Sequence, residues 1–278
     1  MSKIFKLGVI GNPIEHSLSP FIHSRFARKE GLNLDYKAYR VDQGAFNGFI
    51  SEFFSDKYAK GLNVTLPLKN LAATNIPGSI SNEAKFINAV NTIIKKDKKF
   101  FLESTDGSGF IDDLYKKSIN PEGKKILILG AGSAVESILY KLYNSRPEYI
   151  TIINRTKEKA EILCANYKNQ EVVTTCMKDS KYDLVINGSS AGLTGEFSAP
   201  SNISVSESAV FYDLNYSLAK TPFCEWAEEH SNQVFDGIGM LVNQAALSFN
   251  HWFGTIPETN SVIKDIEGLS KWKKWFNS

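Results

Sequence analysis

One stretch constrains the fold of this chain more than any other: residues 124–136, with the sequence KKILILGAGSAVE. Four apolar residues in a row, at 126–129, predict a parallel strand that is buried on both faces. Gly130 and Gly132 permit a tight turn, and the apolar spacing that follows predicts a helix. A strand, a glycine turn and a helix in this order are typical of a dinucleotide-binding unit, in which backbone N–H groups bind the pyrophosphate.

Two positions depart from the usual G-x-G-x-x-G fingerprint of such a turn. The sixth position holds Val135 instead of Gly or Ala, and Ser133 with Glu136 matches the S-x-x-E pattern of a helix capping box. A capping box would use N–H groups that a phosphate would otherwise bind. On this stretch alone, an ordinary capped helix after a strand therefore remains the alternative.

Composition excludes several classes of protein. A chain of 278 residues with 42% hydrophobic content is long enough for one large or two ordinary domains. The net charge of +2 gives no indication of a nucleic-acid or acidic-membrane partner. Cys164, Cys176 and Cys224 form no C-x-x-C pair, so neither a disulfide framework nor a metal site is predicted. We expect buried, reduced thiols in a cytoplasmic protein.

Strands and helices alternate both before and after Gly130, which predicts two α/β units. Near the N-terminus, residues 7–10 predict a strand, followed by a helix with Ser19 as its N-cap and Pro20 as its first residue. The intervening loop follows the carboxyl end of a strand, where open α/β sheets bind ligands. The alternative is that Ser17 and Ser19 only cap the helix.

The strand predicted at residues 149–153 indicates which dinucleotide the second unit binds. An NAD enzyme places Asp or Glu after this strand to bind the ribose 2′-OH. Here a polar and basic loop follows instead: Asn154, Arg155, Thr156, Lys157 and Lys159. Cationic and hydroxyl groups suit a 2′-phosphate, so the sequence predicts NADP. The alternative is a basic helix start without a ligand, which the helix dipole disfavours.

Five motifs occur along the chain: GNPI-x-HS-x-SP at 11–20, NVT-x-P-x-K at 63–69, AVNT at 89–92, TDG at 105–107 and G-x-GMLV-x-Q at 237–244. Together they resemble the shikimate dehydrogenase family, over nearly the whole chain and in the same order, and the first two are specific to it. The resemblance implies an α/β fold with an N-terminal substrate domain at 1–103 and a Rossmann-type NADP-binding domain at 104–236. C-terminal helices at 237–278 would pack back on the first domain.

The activity that the resemblance implies is the reversible NADPH-dependent reduction of 3-dehydroshikimate to shikimate, a step of aromatic amino-acid biosynthesis. Lys69 and Asp106 would be the catalytic pair. Ser17 and Ser19 would bind the substrate carboxylate, while Thr65, Asn91 and Gln244 would bind the ring hydroxyls, with Tyr216 in the same site. The residues expected at the cofactor are Gly130, Ala131, Gly132, Ser133, Ala134, Asn154, Arg155, Thr156, Lys159, Leu214 and Gly237.

The chemistry asks for such residues independently of the family. Reduction of a ketone delivers a hydride to carbon and a proton to the oxygen, so a proton donor must lie within hydrogen-bond reach of that oxygen. The Lys69 ammonium can stabilise the developing negative charge and supply that proton. Without the resemblance, Lys69 would be interpreted as an ordinary surface lysine after a strand.

Some positions depart from the family pattern. Ser104 stands where Asn is usual, Ser133 replaces a usual Gly, and Glu136 lies where a basic residue is common. We therefore predict weaker NADP binding than is usual for this fold. Two alternatives remain: a quinate/shikimate dehydrogenase that uses NAD, and a non-catalytic NADP or metabolite sensor. We expect a small-molecule substrate, no nucleic-acid, membrane or metal partner, and a monomer or homodimer.

Overall fold

The computed structural model describes residues 3–169, 171–189, 197–200, 203–217 and 219–276. The chain divides into two compact units. The first comprises Met1–Gly109 and Val242–Lys264, and the second comprises Phe110–Leu241 and Asp265–Ser278. Their boundaries lie 6 and 5 residues after the predicted domain boundaries, and residues 265–278 group with the second unit.

The first unit is built on a six-stranded mixed sheet. Its strands are β1 (Phe5–Gly11), β2 (Leu34–Arg40), β3 (Ala59–Val64), β4 (Ser79–Ile80), β5 (Thr92–Lys96) and β6 (Lys99–Glu103), in the order β2-β1-β3-β5-β6-β4. β1 is parallel to β2 and β3, while β5 is antiparallel to β3 and β6. The helices are α1 (Ser19–Lys29), α2 (Phe46–Ser55), α3 (Lys69–Asn75) and α4 (Asn82–Phe86).

Helices cover both faces of this sheet, as the alternation of strand residues requires. The apolar residues of α2 pack with Ile10, Leu62 and Val64 in one cluster. Leu7 and Val9, at alternate positions of β1, belong to a second cluster. The prediction for α1 is wrong by one residue, because Leu18 is the N-cap and Ser19 is already helical.

The second unit contains a six-stranded parallel sheet. Its strands are β7 (Lys125–Leu129), β8 (Tyr149–Ile153), β9 (Val173–Thr174), β10 (Tyr182–Asn187), β11 (Val205–Asp213) and β12 (Val234–Phe235), in the order β12-β11-β10-β7-β8-β9. The helices are α5 (Asp106–Lys116), whose first four residues belong to the first unit, α6 (Ser133–Asn144), α7 (Lys157–Ala165) and α8 (Pro222–Ala227). Outward from β7, this is the strand order of a dinucleotide-binding fold.

β7 explains why its sequence is continuously apolar. Ile126 and Ile128 pack in the cluster that contains α5 and α6 residues, whereas Leu127 and Leu129 pack with Phe223 of α8. Both faces of the strand are therefore covered. The predictions of two α/β units and of a Rossmann-type domain are confirmed.

The last two helices are α9 (Ile238–Phe253) and α10 (Asn260–Phe276). From Val242 onward, α9 belongs to the first unit and lies on the β3 and β5 face of its sheet. Trp252 packs directly over Gly61, where a Cβ would overlap its indole, and its Nε1 donates to Ile93 O at 3.0 Å. The side chains of Gln244, Ser248 and Trp252 follow one another at four-residue spacing, so they share one face of the helix.

Among the helices of the described ranges, none is long and apolar enough to cross a membrane. Cys164 and Cys224 are buried, and burial raises their thiol pKa values to about 11 and about 12. Cys176 is exposed, so the expectation that all three thiols are buried is wrong. It lies in the loop that follows the short strand β9, away from any helix or strand interior.

Candidate active site

Lys69 and Asp106 form an ion pair in the first unit. The Lys69 Nζ lies 2.8 Å from Asp106 Oδ2, and the two side chains are only 14% and 12% exposed. Each is the first residue of its helix, α3 or α5. The dipole of a helix N-terminus stabilises the Asp106 carboxylate but disfavours the Lys69 ammonium, so the carboxylate offsets an unfavourable position of the lysine.

Asn91 fixes the other oxygen of the same carboxylate. Its Nδ2 donates to Asp106 Oδ1 at 2.8 Å, while its Oδ1 accepts from the Thr105 N–H at 2.8 Å and from the Thr92 hydroxyl at 2.9 Å. Because these donors define which end of the amide is oxygen, the orientation of Asn91 is determined. Asp106 is therefore held at both oxygens, with Lys69 on one side and Asn91 on the other.

Gln244 reaches this cluster from α9. Its Oε1 accepts from Asn91 Nδ2 at 3.3 Å, and its backbone carbonyl accepts from the Thr105 hydroxyl at 3.1 Å. Gly109 permits this close approach, because a Cβ on Gly109 would lie 2.5 Å from the Gln244 backbone nitrogen. The structure thus brings four of the predicted site residues together within one unit: Lys69, Asn91, Asp106 and Gln244.

Ser17 and Ser19, which were predicted to bind the substrate carboxylate, follow strand β1. The parallel strand β3 lies beside β1 and ends at the same edge of the sheet. Ser17 Oγ accepts from the Ser19 backbone N–H at 3.3 Å, and the Ser19 hydroxyl bonds Tyr36. Thr65 follows β3 and is partly buried, with its N–H bonded to Ile10 O at 2.9 Å. All three residues therefore follow the carboxyl ends of parallel strands, where ligands bind in open sheets.

A buried polar chain connects these groups through four residues that had no predicted role: Tyr36, Asn63, Thr92 and Ser248. Tyr36 Oη donates to Asn63 Oδ1 at 2.7 Å, and Asn63 Nδ2 donates to the Ser248 hydroxyl at 3.0 Å and to the Thr92 hydroxyl at 3.2 Å. Thr92 in turn bonds Asn91. The signal for Asn63 was its position two residues before Thr65, which places both on one face of the chain.

The glycine turn of the second unit has two different glycines. Gly130 has φ of +107° and a Cβ on it would lie 2.8 Å from Ser189 N, so a side chain there is excluded twice. Gly132 has an ordinary φ of −94°, and a Cβ on it would meet no atom of the described residues within 4 Å. The missing side chain at Gly132 therefore leaves open space beside the start of α6, which fits a phosphate group.

The predicted capping box does not form. The N-cap of α6 is Gly132 instead of Ser133, and its carbonyl accepts the Glu136 N–H at 3.0 Å. The helix begins one residue earlier than a Ser133 cap requires, so Ser133 and Ala134 belong to its first turn. The backbone N–H groups of Ser133 and Ala134 precede the first intrahelical bond, so no carbonyl of the helix accepts from them.

The loop after β8 presents its cations to solvent. Asn154 Nδ2 donates to Thr156 O at 2.7 Å and closes the loop, and Arg155, Thr156 and Lys159 are exposed. Over the described parts of the chain, no carboxylate pairs with Arg155 or Lys159, whereas Lys157 pairs with Glu161 at 3.2 Å. The loop therefore has free positive charge where the ribose 2′-substituent is expected.

Asp213, the last residue of β11, accepts hydrogen bonds from three side chains of the second unit. Its carboxylate accepts from Asn187 Nδ2 at 2.9 Å, from Asn215 Nδ2 at 2.9 Å and from the Thr221 hydroxyl at 2.6 Å, while burial raises its pKa. Leu214 follows directly, and Gly237 packs against its carbonyl so closely that a Cβ would overlap it. Tyr216 is partly buried, and burial raises its pKa.

These residues fit a dinucleotide: an open phosphate cradle, a basic loop and packed strand ends. Within the described ranges, no three His, Cys, Asp or Glu side chains gather at a potential metal site. The sequence analysis missed Asp213 as an organising residue; its only signal was its place at the carboxyl end of a strand.

Comparison with known proteins identifies the family. Three family models match: the shikimate dehydrogenase substrate binding domain at residues 9–93, shikimate/quinate 5-dehydrogenase at 113–192, and the shikimate 5′-dehydrogenase C-terminal domain at 237–264. The NADP(+) shikimate dehydrogenase of Hydrogenovibrio crunogenus is 39% identical over 270 residues, which cover 94% of this chain and 97% of the relative. This chain belongs to the shikimate dehydrogenase family.

Solved structures share its fold. Shikimate 5-dehydrogenase from Thermus thermophilus, in complex with NADP(H) and shikimate, has a TM-score of 0.83 and 28% identity over 96% of this chain and 99% of that chain. A 5-ketofructose reductase from a Gluconobacter strain has a TM-score of 0.84 and 26% identity over 97% and 99%. Because one fold carries two substrates, the substrate must be argued from the site.

Proposed function

We infer that this chain is an NADP-dependent shikimate dehydrogenase, which catalyses the reversible reduction of 3-dehydroshikimate to shikimate. The observation that carries this inference is the Lys69–Asp106 pair, held by Asn91 and Gln244 in the unit that matches the family's substrate-binding model. The curated relatives of this chain are NADP(+) shikimate dehydrogenases.

Lys69 is the residue that we assign to the carbonyl oxygen of the substrate. When bound, NADPH supplies the hydride that reduces the carbonyl carbon. The Lys69 ammonium stabilises the negative charge that develops on the oxygen and donates a proton to it; in the reverse direction it takes that proton back. Asp106 holds the ammonium at 2.8 Å and thereby fixes the direction from which the proton arrives.

We propose that the two ends of the buried polar chain bind different parts of the substrate. We assign the substrate carboxylate to the hydroxyls of Ser17 and Ser19. Thr65, Asn91 and Gln244 provide hydroxyl and amide groups that bind the ring hydroxyls, and Tyr216 stays a predicted substrate-binding residue. The buried chain from Ser19 through Tyr36 and Asn63 to Asn91 supports these two regions in a fixed separation, because each member already has its hydrogen-bond partners.

The cofactor residues are proposed on the same basis. The pyrophosphate binds the backbone of residues 130–134, where Gly132 leaves open space. Arg155, Thr156 and Lys159, with Asn154 closing the loop, bind the 2′-phosphate. Leu214 and Gly237 border the nicotinamide.

We further propose that the protein acts in the cytoplasm. We also propose that it is a monomer or homodimer, and measurement of the molar mass in solution tests this oligomeric state.

The test is oxidation of shikimate and of quinate by the purified protein, each with NADP and with NAD, followed by formation of reduced nicotinamide. We expect turnover of shikimate with NADP. In Lys69→Ala we expect kcat to fall by roughly 10²- to 10⁴-fold, with shikimate binding retained. Lys85→Ala, an exposed lysine of the same unit, is the matched control and should keep full activity.

Three results would replace this proposal. Faster turnover of quinate with NAD would favour the quinate/shikimate dehydrogenase, a substrate pair that one matching family model includes in its description. Binding of shikimate without turnover of any pair would favour the sensor. Full activity of a folded Lys69→Ala would remove Lys69 from the mechanism.

A further inference from the structure

A concave region lies on the first unit, at the opposite edge of its sheet from the candidate active site. It is a cavity of about 510 Å³, bordered by the amino-terminal ends of β1 and β3 and by the end of the antiparallel strand β5. Ser17 and Thr65 follow the carboxyl ends of β1 and β3. The two regions are therefore separated by the length of these strands.

The lining of this cavity is strongly basic. Five lysines from three separate segments of the chain contribute to it: Lys3, Lys57, Lys60, Lys95 and Lys96. One carboxylate, Asp97 at the β5–β6 turn, lies among them. The chain as a whole carries a net charge of only +2, so this is a local concentration of positive charge and not a property of the entire surface.

Most of these ammonium groups have no anionic partner. In the part of the chain that the structure describes, no ion pair involves Lys3, Lys57, Lys60 or Lys96. The Lys3 and Lys60 ammonium groups lie 4.9 and 5.7 Å from the centre of the Phe5 ring. The Lys96 ammonium lies 5.5 Å from the centre of the Phe101 ring. A cation–π contact does not neutralise an ammonium group, so these lysines keep the positive charge that would attract an anion.

Burial also acts on the central lysine. The pKa of Lys60 is lowered, first by burial and then by the charges of Lys3 and Lys96. Repulsion between like charges therefore reaches Lys60 from Lys96 of β5 and from Lys3, which precedes β1. Lys95 is held differently, because its Nζ donates to Phe54 O at 2.6 Å, which fixes its position without neutralising it.

We propose that this cavity is a binding site for a small phosphorylated molecule. A compact ammonium suits a phosphate group as a point charge, and several from different segments can surround one. The volume is in the range of small-molecule sites, whereas an extended polyanion would require a long basic surface. Tyr58, 42% exposed on the same wall, offers apolar area to the organic part of the ligand.

The test is calorimetric titration with inorganic pyrophosphate at low and at physiological ionic strength. Lys60→Gln/Lys96→Gln removes two charges from the cavity. Lys85→Gln/Lys124→Gln removes two exposed charges elsewhere and is the matched control. Gly132→Ala fills the phosphate cradle and Arg155→Gln removes the cation of the nucleotide loop, so these two variants identify pyrophosphate that binds at the nucleotide site. Thermal unfolding of each variant establishes that it is folded.

We expect one pyrophosphate per chain that remains in Gly132→Ala, in Arg155→Gln and in the control. In Lys60→Gln/Lys96→Gln its affinity should fall by about tenfold or more. Citrate, an anion without phosphate, should bind more weakly. Equal losses in both double variants would indicate unspecific attraction. Loss in Gly132→Ala or in Arg155→Gln would place the anion at the nucleotide site, and equal or tighter binding of citrate would assign a polycarboxylate. Each of these results overturns the proposal.

Discussion

The side chain of Val135 lies so close to Gly188 that its Cγ2 occupies the place of a Cβ on that glycine. Val135 is the sixth residue of the glycine fingerprint, in α6, and Gly188 follows the neighbouring strand β10. A small sixth residue normally allows the helix to approach the strands. Here the room is made on the strand side, which explains how the fold accepts valine at this position.

This relationship predicts a compensating pair. Gly188→Ala should destabilise the protein by about 1–3 kcal/mol, because the added methyl group overlaps Val135. In the Val135→Ala background the same change should cost much less. Urea unfolding of the wild type, both single variants and the double variant measures the coupling. Additive effects of the two changes would contradict the packing argument.

The open space at Gly132 predicts a change that affects binding without affecting stability. Gly132→Ala should unfold at the wild-type urea concentration, because its φ suits any residue and the new Cβ meets no atom among the residues that the structure describes. Its affinity for NADP should fall by about tenfold or more, since the methyl group fills the phosphate cradle. Gly130→Ala is the contrasting variant and should lose stability as well. Unchanged NADP affinity in Gly132→Ala would remove the cradle.

Arg155 should determine the choice between the two nicotinamide cofactors. In Arg155→Gln we expect the KM for NADP to rise by about tenfold, because a charge-assisted bond to the 2′-phosphate is lost. The KM for NAD, which lacks that phosphate, should change little. Steady-state kinetics with both cofactors measures the ratio. A parallel rise of both KM values would show that Arg155 supports the loop and does not select the phosphate.

Glu136 places a carboxylate in the first turns of α6, near the predicted pyrophosphate site. Glu136→Arg should therefore lower the KM for NADP by replacing repulsion of the phosphates with attraction. Because the capping box does not form, this prediction depends on charge alone. Raising the salt concentration should reduce the difference from wild type. An unchanged or higher KM would contradict it.

His23 predicts a pH dependence of stability. The ring is fully buried and stacks on Tyr36, and burial lowers its pKa from 6.5 to about 3. Between these values the unfolded chain binds the proton and the folded chain does not, so stability falls as the pH falls. From pH 6.5 to 5 this amounts to about 2 kcal/mol. Urea unfolding of His23→Phe should show a correspondingly smaller loss over the same interval.

Local sequence patterns predicted the parts of the fold that depend on neighbouring residues. β7, its glycine turn and α6 follow from one stretch, because a doubly covered strand has a continuous apolar sequence. The exact helix starts did not follow. At α1, the Ser19 hydroxyl bonds Tyr36, a residue of the next strand, and at α6 the glycine itself takes the N-cap position.

The candidate sites depended on residues that are distant in the chain. Lys69 and Asp106 could be paired only through the family resemblance, since 37 residues separate them. No local pattern indicates that Asn63 meets Ser248, 185 residues later, or that Lys3 and Lys96 border one cavity. These contacts arise from strand order and from the return of α9, which periodicity does not encode.

The return of α9 has a consequence for synthesis of the protein. Ser248 supplies a partner for the buried Asn63 amide, and Trp252 covers Gly61, yet both residues are translated more than a hundred residues after the strands that they complete. While the ribosome is still producing the second unit, the nascent first unit lacks this cover and keeps polar groups of β3 and β5 accessible to water. A chain released before residue 242 would therefore be a substrate for chaperones and proteases.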